Sequence, residues 1–424
     1  MMNKGFETKK WALGICAALM LSISLSGCDG GKGGQESTQI ESSQEQSTSQ
    51  TEDNSTESSS IETSATETTA QEQKEPFVCD RSAAFELLSN IRIGWNLGNT
   101  LDAHGGGASP VSETIWGNPK TTQEMIDAVA AQGFNAIRIP VTFAEHCGKA
   151  PDYTINSAWM NRVQEVVDYA MNANMYILLD THHEPDYWLK PDKKHEDECV
   201  AELTAIWTQI AERFKDYDEH LIFEGMNEPR VKGSGAEWNG GTKAEQEVVD
   251  HLNQAFLDAV RATGGNNETR LCVICTYGNN PGYNVIKEFK IPEDNYIAVA
   301  VHMYTPYYFT FNGTDGSFYD TWDGSAKGDI SSTVKQLDKY FIKQDLPVIV
   351  TEFGAVNKGM PEEVAKWATD YLTIMNNYGI KCFWWDNNLY ISNGENFGIF
   401  NRKGLSWYDQ ELADTLVKMT TPEE

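Results

Sequence analysis

Two glutamates stand where apolar, strand-like runs of this chain meet a turn. Glu228 lies in Leu221-Ile222-Phe223-Glu224-Gly225-Met226-Asn227-Glu228-Pro229, and Glu352 in Pro347-Val348-Ile349-Val350-Thr351-Glu352-Phe353-Gly354. An unpaired buried charge is expensive, so a carboxylate at the end of a buried strand must be paired by its surroundings or exploited through a shifted pKa. Two such groups facing each other across a bond make an acid/base pair. Glycoside hydrolysis is the reaction that calls for that pair most directly.

The elements that must position them read as alternating strand and helix. Strand-like runs fall at 91–97, 134–141, 175–181, 221–226, 271–276, 296–302, 348–352 and 381–386. Between them Met160, Val163, Val166, Val167 and Ala170 recur at helical spacing, as do Val200, Leu203, Trp207, Ile210 and Phe214. Near-continuous apolar strands need cover on both faces, and helical crossovers supply it. This predicts an α/β fold, a closed parallel (β/α)8 TIM barrel. A doubly wound open sheet is the alternative, but no Gly-rich phosphate loop follows any strand.

A barrel of this kind gathers its chemistry at the C-terminal ends of the strands. Those ends carry Asn96 and Asn99, then Arg138, then Asp180-Thr181-His182-His183, then Asn227-Glu228. Further along come His302-Met303-Tyr304, Glu352, and Trp384-Trp385-Asp386-Asn387. A lone strand-end histidine is more often structural, and Arg138 could serve a salt bridge at the rim. Polar or aromatic groups at seven ends together point to a site.

The rest of the chain sets boundaries. Lys4, Lys9 and Lys10 precede an apolar stretch at 11–25, too short to span a bilayer, which reads as a signal peptide over residues 1–27. Leu25-Ser26-Gly27-Cys28 resembles a bacterial lipobox, with Cys28 as the lipidated first residue of the mature chain; ordinary cleavage beside an incidental cysteine is the alternative. Residues 28–76 are Ser, Thr, Gln, Glu and Gly with almost no large apolar side chain, and read as a disordered acidic tether. The catalytic domain is expected over 77–424, and the mature protein on the outer face of a bacterial membrane. A net charge of −29 disfavours nucleic acid and anionic polymers as partners and fits a neutral substrate or mere solubility. Cys272 and Cys275 form a C-x-x-C, yet they sit inside an apolar run without a second cysteine pair, so buried structural thiols are expected before a redox or zinc role.

These residues resemble a known family. Met226-Asn227-Glu228-Pro229 and Val350-Thr351-Glu352-Phe353-Gly354 are similar to the acid/base and nucleophile signatures of glycoside hydrolase family 5, cellulase family A, whose catalytic glutamates end strands 4 and 7. Ile93-Gly94-Trp95-Asn96-Leu97-Gly98-Asn99-Thr100-Leu101-Asp102-Ala103, Trp116-Gly117-Asn118-Pro119 and Phe383-Trp384-Trp385-Asp386-Asn387 resemble its subfamily 4, broad-specificity endoglucanases. The likeness runs from about residue 84 to 407 and departs at Asn388, where such sequences often have Gly.

The resemblance implies a retaining endo-β-1,4-glucan hydrolase with Glu352 as nucleophile and Glu228 as acid/base. It implies Arg138 and Tyr304 beside Glu352, His302 orienting Glu228, and Asn227 on the sugar 2-hydroxyl. His182 and His183 take neighbouring hydroxyls, and Trp385 lies under the sugar at the cleavage point. Trp116 and Trp188 are outer platforms or packing residues, and Asn96 completes the substrate-binding set. No metal or organic cofactor is needed, and a monomer acting on β-1,4-linked polysaccharide is expected. Xyloglucan or mixed-linkage glucan are further substrates, with mannanase or xylanase activity on the same fold as the alternative. Two more distant readings are a metal-dependent barrel hydrolase using His182, His183, His302 and Asp386, and an inactive carbohydrate-binding barrel. Adjacent histidines on a strand should point to opposite faces, which counts against the metal reading. The insertions at 190–198 and 231–242 are short and polar, so the mouth is expected to be an open groove.

Overall fold

The computed structural model describes residues 77–105, 113–314, 316–392 and 395–420. The expected signal peptide, Cys28 and the acidic tether lie outside the described residues. Among the described residues no helix is long and apolar enough to cross a membrane.

Eight strands form a closed parallel barrel in chain order: β1 (Gly94–Asn96), β2 (Ala136–Val141), β3 (Tyr176–Thr181), β4 (Leu221–Glu224), β5 (Cys272–Cys275), β6 (Ile297–His302), β7 (Val348–Phe353) and β8 (Lys381–Trp384). Each falls on one of the expected runs. The alternative of an open sheet is settled by β8 pairing back onto β1, with Gly94 opposite Phe383. That closure needs a glycine, because a Cβ on Gly94 would sit 2.0 Å from the Phe383 ring. Cys272 and Cys275 are buried free thiols on β5, as expected of structural cysteines.

Helices α1 (Ser82–Ser89), α2 (Gln123–Gln132), α3 (Ser157–Asn172), α4 (Glu196–Phe214), α5 (Lys243–Ala262), α6 (Tyr283–Ile286), α7 (Tyr307–Thr310), α8 (Lys327–Tyr340), α9 (Pro361–Asn376) and α10 (Gln410–Lys418) surround the strands. The side chain of Asn156 caps α3 by accepting from the Ala158 and Trp159 amides, a contact typically worth about 1 kcal/mol. All five periodic residues of α3 are buried; in α4 Leu203, Trp207, Ile210 and Phe214 are buried while Val200 is half-buried at the edge. A Thr242–Glu245 capping box starts α5.

Two local features aim the chain at the site. Trp207 of α4 packs between Phe223 and Phe256 and donates its Nε1–H to the Gly225 carbonyl at 2.8 Å, which fixes the chain where it leaves β4 toward Glu228. The β6–β7 register shifts between Val301 and His302, so that His302 comes opposite Glu352. Such irregularities re-aim side chains at the rim of a barrel.

Candidate active site

Arg138 on β2 is fully buried and touches three carboxylates. Its Nη2 lies 2.6 Å from Asp180 Oδ2, its Nε 2.6 Å from Glu224 Oε2, and its Nη1 2.7 Å from Glu352 Oε1. Asn96 Oδ1 accepts from Nη1 at 3.2 Å and Asn227 Oδ1 from Nη2 at 2.9 Å. Burial opposes the charge of this guanidinium, but the Asp180, Glu224 and Glu352 anions outweigh it and hold the pKa well above the usual value. On Asp180 burial wins over Arg138 and pushes the carboxyl up to about 6. The second oxygen of Glu352 accepts from the Tyr304 hydroxyl at 2.9 Å.

Glu228 stands in a different setting. Its backbone takes a left-handed φ of 44°, held by a 2.8 Å hydrogen bond from its amide to Asn279 Oδ1. Its side chain is 21% exposed against 8% for Glu352, so it meets solvent while Glu352 is walled in. His302 Nδ1 lies 3.0 Å from Glu228 Oε1 and 3.5 Å from Glu352 Oε2. Arg230 reaches Glu228 Oε2 at 3.2 Å and its carbonyl at 2.9 Å, while stacking over Trp238 and pairing with Glu237. Burial raises the Glu228 carboxyl, but the His302 hydrogen bond and the Arg230 and His302 charges more than offset it and set it low. On His302 burial works against the charge and the two glutamates outweigh it, raising its pKa. Glu228 and His302 thus form a hydrogen-bonded pair across which a proton can move. An acid step needs that proton on Glu228, and the 3.0 Å contact gives it a path.

Donor atoms of Glu228, His302 and Glu352 all lie within 4.8 Å of one another. The expected residues around this centre divide into those that face it and those that hold it up. Asn227 accepts from Arg138 through its Oδ1, which leaves its amide nitrogen for a ligand. His182 stacks flat on Trp385, rings 5.7 Å apart at 6°, and burial drops its pKa to about 3, so its imidazole is neutral. Trp385 rests on Gly98, where a Cβ would lie 2.7 Å from the indole.

Several expectations need correction. Asn96 is entirely buried and donates to the carbonyls of Thr351 and Trp384, so it cannot touch a sugar; Arg138 stands beside Glu352 as expected, but it too is buried and spent on carboxylates rather than on substrate. Both are positioning residues. His182 and His183 do not diverge, because β3 ends at Thr181 and both imidazoles come within 4.8 Å of Asp102. His183 sits with His104 and Trp116 at the rim. Trp188 donates to Glu184 Oε2 at 2.7 Å and packs against the core, so packing, not a platform, describes it. Trp116 is 39% exposed at the rim, its ring 5.4 Å from that of His183 at 63°. Of the four groups the metal reading would gather, His182 and His183 cluster with Asp102, and His302 with the two glutamates. Asp386 instead accepts from Trp95, Ile399, Phe400 and Arg402.

Other contributors escape the sequence reading. Glu224 joins Asp180, already one of the strand-end groups, in the surround of Arg138, and it carries a signal: an ionisable side chain inside an otherwise apolar strand needs a buried partner. Arg230 has no such signal. Nor has Glu395, a half-buried carboxyl raised to about 7 by burial and by the charges of Glu228 and Glu352.

The model of the cellulase family, glycosyl hydrolase family 5, matches residues 101–390 of the chain. Endoglucanase A of Ruminococcus albus is 50% identical over 338 residues, covering 79% of this chain and 92% of that protein. A solved structure of a GH5 xyloglucan-specific endo-β-1,4-glucanase from a metagenomic library, in complex with cellotriose, is 56% identical with a TM-score of 0.79, covering 80% of this chain and 99% of that one. A GH5-4 broad specificity endoglucanase from Ruminococcus champanellensis with bound cellotriose is 44% identical with a TM-score of 0.76, covering 79% and 98%.

Proposed function

The chain belongs to glycoside hydrolase family 5, and on that premise we propose how its residues divide the work of a retaining endo-β-1,4-glucan hydrolase. The observation that carries the assignment is the spacing of the pair. Oxygens of Glu228 and Glu352 come within 4.8 Å. Retaining glycosidases hold their carboxyls about 5–5.5 Å apart, while inverting ones leave about 6.5–9.5 Å for a water.

Glu352 attacks the anomeric carbon and forms a covalent glycosyl–enzyme bond. Glu228 delivers a proton to the departing glycosidic oxygen as its bond to carbon breaks. Water then enters; Glu228 takes a proton from it, the hydroxide attacks the anomeric carbon, and Glu352 leaves as a carboxylate. Two displacements return the β configuration. Arg138 and Tyr304, on different oxygens of Glu352, aim the nucleophile before the sugar arrives. Asn227 meets the 2-hydroxyl, and Trp385, with neutral His182 stacked on it, forms the floor for the apolar face of the ring.

Endo cleavage follows from an open groove with Trp116 as an outer platform. Substrate breadth is read from relatives described as xyloglucan-specific, broad specificity and, for a Caldicellulosiruptor enzyme, lichenase. Soluble β-1,4-glucan, xyloglucan and mixed-linkage glucan are accordingly assigned as substrates. Early proton NMR of the products tests the mechanism: a β anomer appears first, alongside a fall in viscosity that precedes most of the reducing sugar. An α anomer first, or glucose as the dominant initial product, overturns it. The lipobox-like sequence before Cys28 supports a lipid anchor on the cell surface, with the acidic tether as spacer. One acyl chain holds a membrane only marginally, so a multiply acylated Cys28 is implied. Cys28→Ala should release active enzyme into the medium, and unchanged membrane retention would contradict the anchor.

A further inference from the structure

The rim of the barrel mouth carries a second cluster of donors, separate from the Glu228–His302–Glu352 centre. His104, from the segment after β1, and His183 and Asp186, from the segment after β3, bring donor atoms within 4.8 Å of one another. His104 Nε2 lies 3.4 Å from Asp186 Oδ2, and His183 Nδ1 lies 3.7 Å from the same oxygen. Both separations exceed the 2.7–3.2 Å of an N–H···O hydrogen bond. They are close to the spacing of ligand atoms on a tetrahedral zinc ion, about 3.3–3.5 Å when each bond is about 2.0–2.2 Å.

Each donor group also has a polar neighbour on its far side. His104 Nδ1 is 3.0 Å from the Tyr187 hydroxyl, which leaves Nε2 toward the cluster. His183 Nε2 faces Asp102 Oδ2 at 3.6 Å, and Asp102 is itself pinned by the Asn99 and Thr100 amides. The Tyr187 contact is an outer partner of the kind that orients metal-binding imidazoles. Asp186 Oδ1 contacts Lys232, so the carboxylate is held by one oxygen and offers the other; the ammonium is a nearby charge that opposes a cation. We propose that His104, His183 and Asp186 form a site for a divalent d-block cation of the zinc type, tying the β1 and β3 segments together at the mouth. Two imidazoles and one carboxylate suit such an ion and not magnesium or calcium. The ion would stiffen the Trp116 platform, since the Trp116 indole N–H donates to the His104 carbonyl at 3.1 Å.

The test uses the full chain, stripped with a chelator. Zn2+ should raise the melting temperature by a few degrees, and Co2+ should give visible d–d bands of a four-coordinate ion. His104→Ala and Asp186→Asn should each weaken Zn2+ binding about tenfold or more in equilibrium dialysis. His251→Ala, which removes a separate histidine paired with Glu196, should leave it unchanged. Absence of both the thermal shift and the cobalt bands, or undiminished binding by His104→Ala, overturns the proposal. If His104→Ala fails a circular dichroism check of folding, Asp186→Asn, altered at an exposed side chain, decides alone.

Discussion

The two glutamates of this barrel live in opposite surroundings. Glu352 is enclosed: a guanidinium that also serves Asp180 and Glu224 holds one oxygen and a tyrosine hydroxyl holds the other. Glu228 is partly open to solvent, on strained backbone, and in contact with a histidine that can exchange a proton with it. A nucleophile has to keep one charge state and one position, whereas an acid/base group has to change its state twice per turnover. Rigidity and exchange are thus built on opposite sides of one mouth.

Removing either carboxylate tests the contrast most severely. Glu352→Gln should lower kcat/KM by about 10^4-fold or more on every substrate, including aryl glycosides with activated leaving groups. Glu228→Ala should lose polysaccharide turnover yet retain glycosylation by activated substrates, with azide restoring turnover and yielding a β-glycosyl azide. Equal behaviour of the two variants would erase the distinction. Next in size, Arg138→Met should destabilise the barrel by about 3–5 kcal/mol in urea titration, because it strands buried carboxylates without a partner. Asp180, already pushed up to about 6 by burial, would lose the Arg138 charge that lowers it and rise further above its unfolded value. Stability should therefore be partly regained on acidification below the unfolded carboxylate range and lost as pH rises from there through the raised folded-state value of Asp180, and a loss independent of pH would contradict this.

Smaller effects sharpen the picture on the Glu228 side. Glu395, raised to about 7, adds negative charge near Glu228 as it ionises, which favours the protonated acid. Glu395→Gln should move the basic limb of kcat/KM to lower pH by less than about one unit. A pH profile that stays in place, or shifts upward, would remove Glu395 from the account. Smallest of all, Trp116→Ala should raise KM on polymer about three- to tenfold with kcat nearly kept, as expected for a stacking contact of about 0.5–1.5 kcal/mol.

How much of this is legible in the sequence depends on how local each signal is. Strands such as Ala136–Val141 and Ile297–His302 are buried at every position, so their apolar runs stand out. Glu228 and Glu352 are legible because a charge at the end of such a run has few structural uses. Arg138 is legible as a strand-end group, but its burial is not: that depends on Asp180 and Glu224 arriving from two other strands. Asn96 reads as a polar tip and turns out to be bound to backbone carbonyls of the β7 and β8 strands. The two histidines after β3 mislead because period-2 alternation stops where the strand stops, at Thr181. Trp188 and Trp116 are alike as residue types, and only their neighbours separate packing from platform.

The surround of Arg138 also bears on how the chain assembles. Its partners come from β1, β3, the segment after β4, β4 itself and β7, so this one guanidinium collects sequence neighbourhoods from Asn96 to Glu352. An intermediate holding only the first four strands would bury Arg138 beside Asp180 and Glu224 as an over-neutralised cluster of one cation and two anions, and Glu352 would have no guanidinium to meet outside it. Desolvating such a cluster is favourable only when the surrounding hydrogen bonds are complete. Half-barrels are thereby penalised and closure of the ring is made cooperative: the side chains that hold the nucleophile also act as a late checkpoint on folding, one that a chain passes only when strands 256 residues apart in sequence have met around the same arginine.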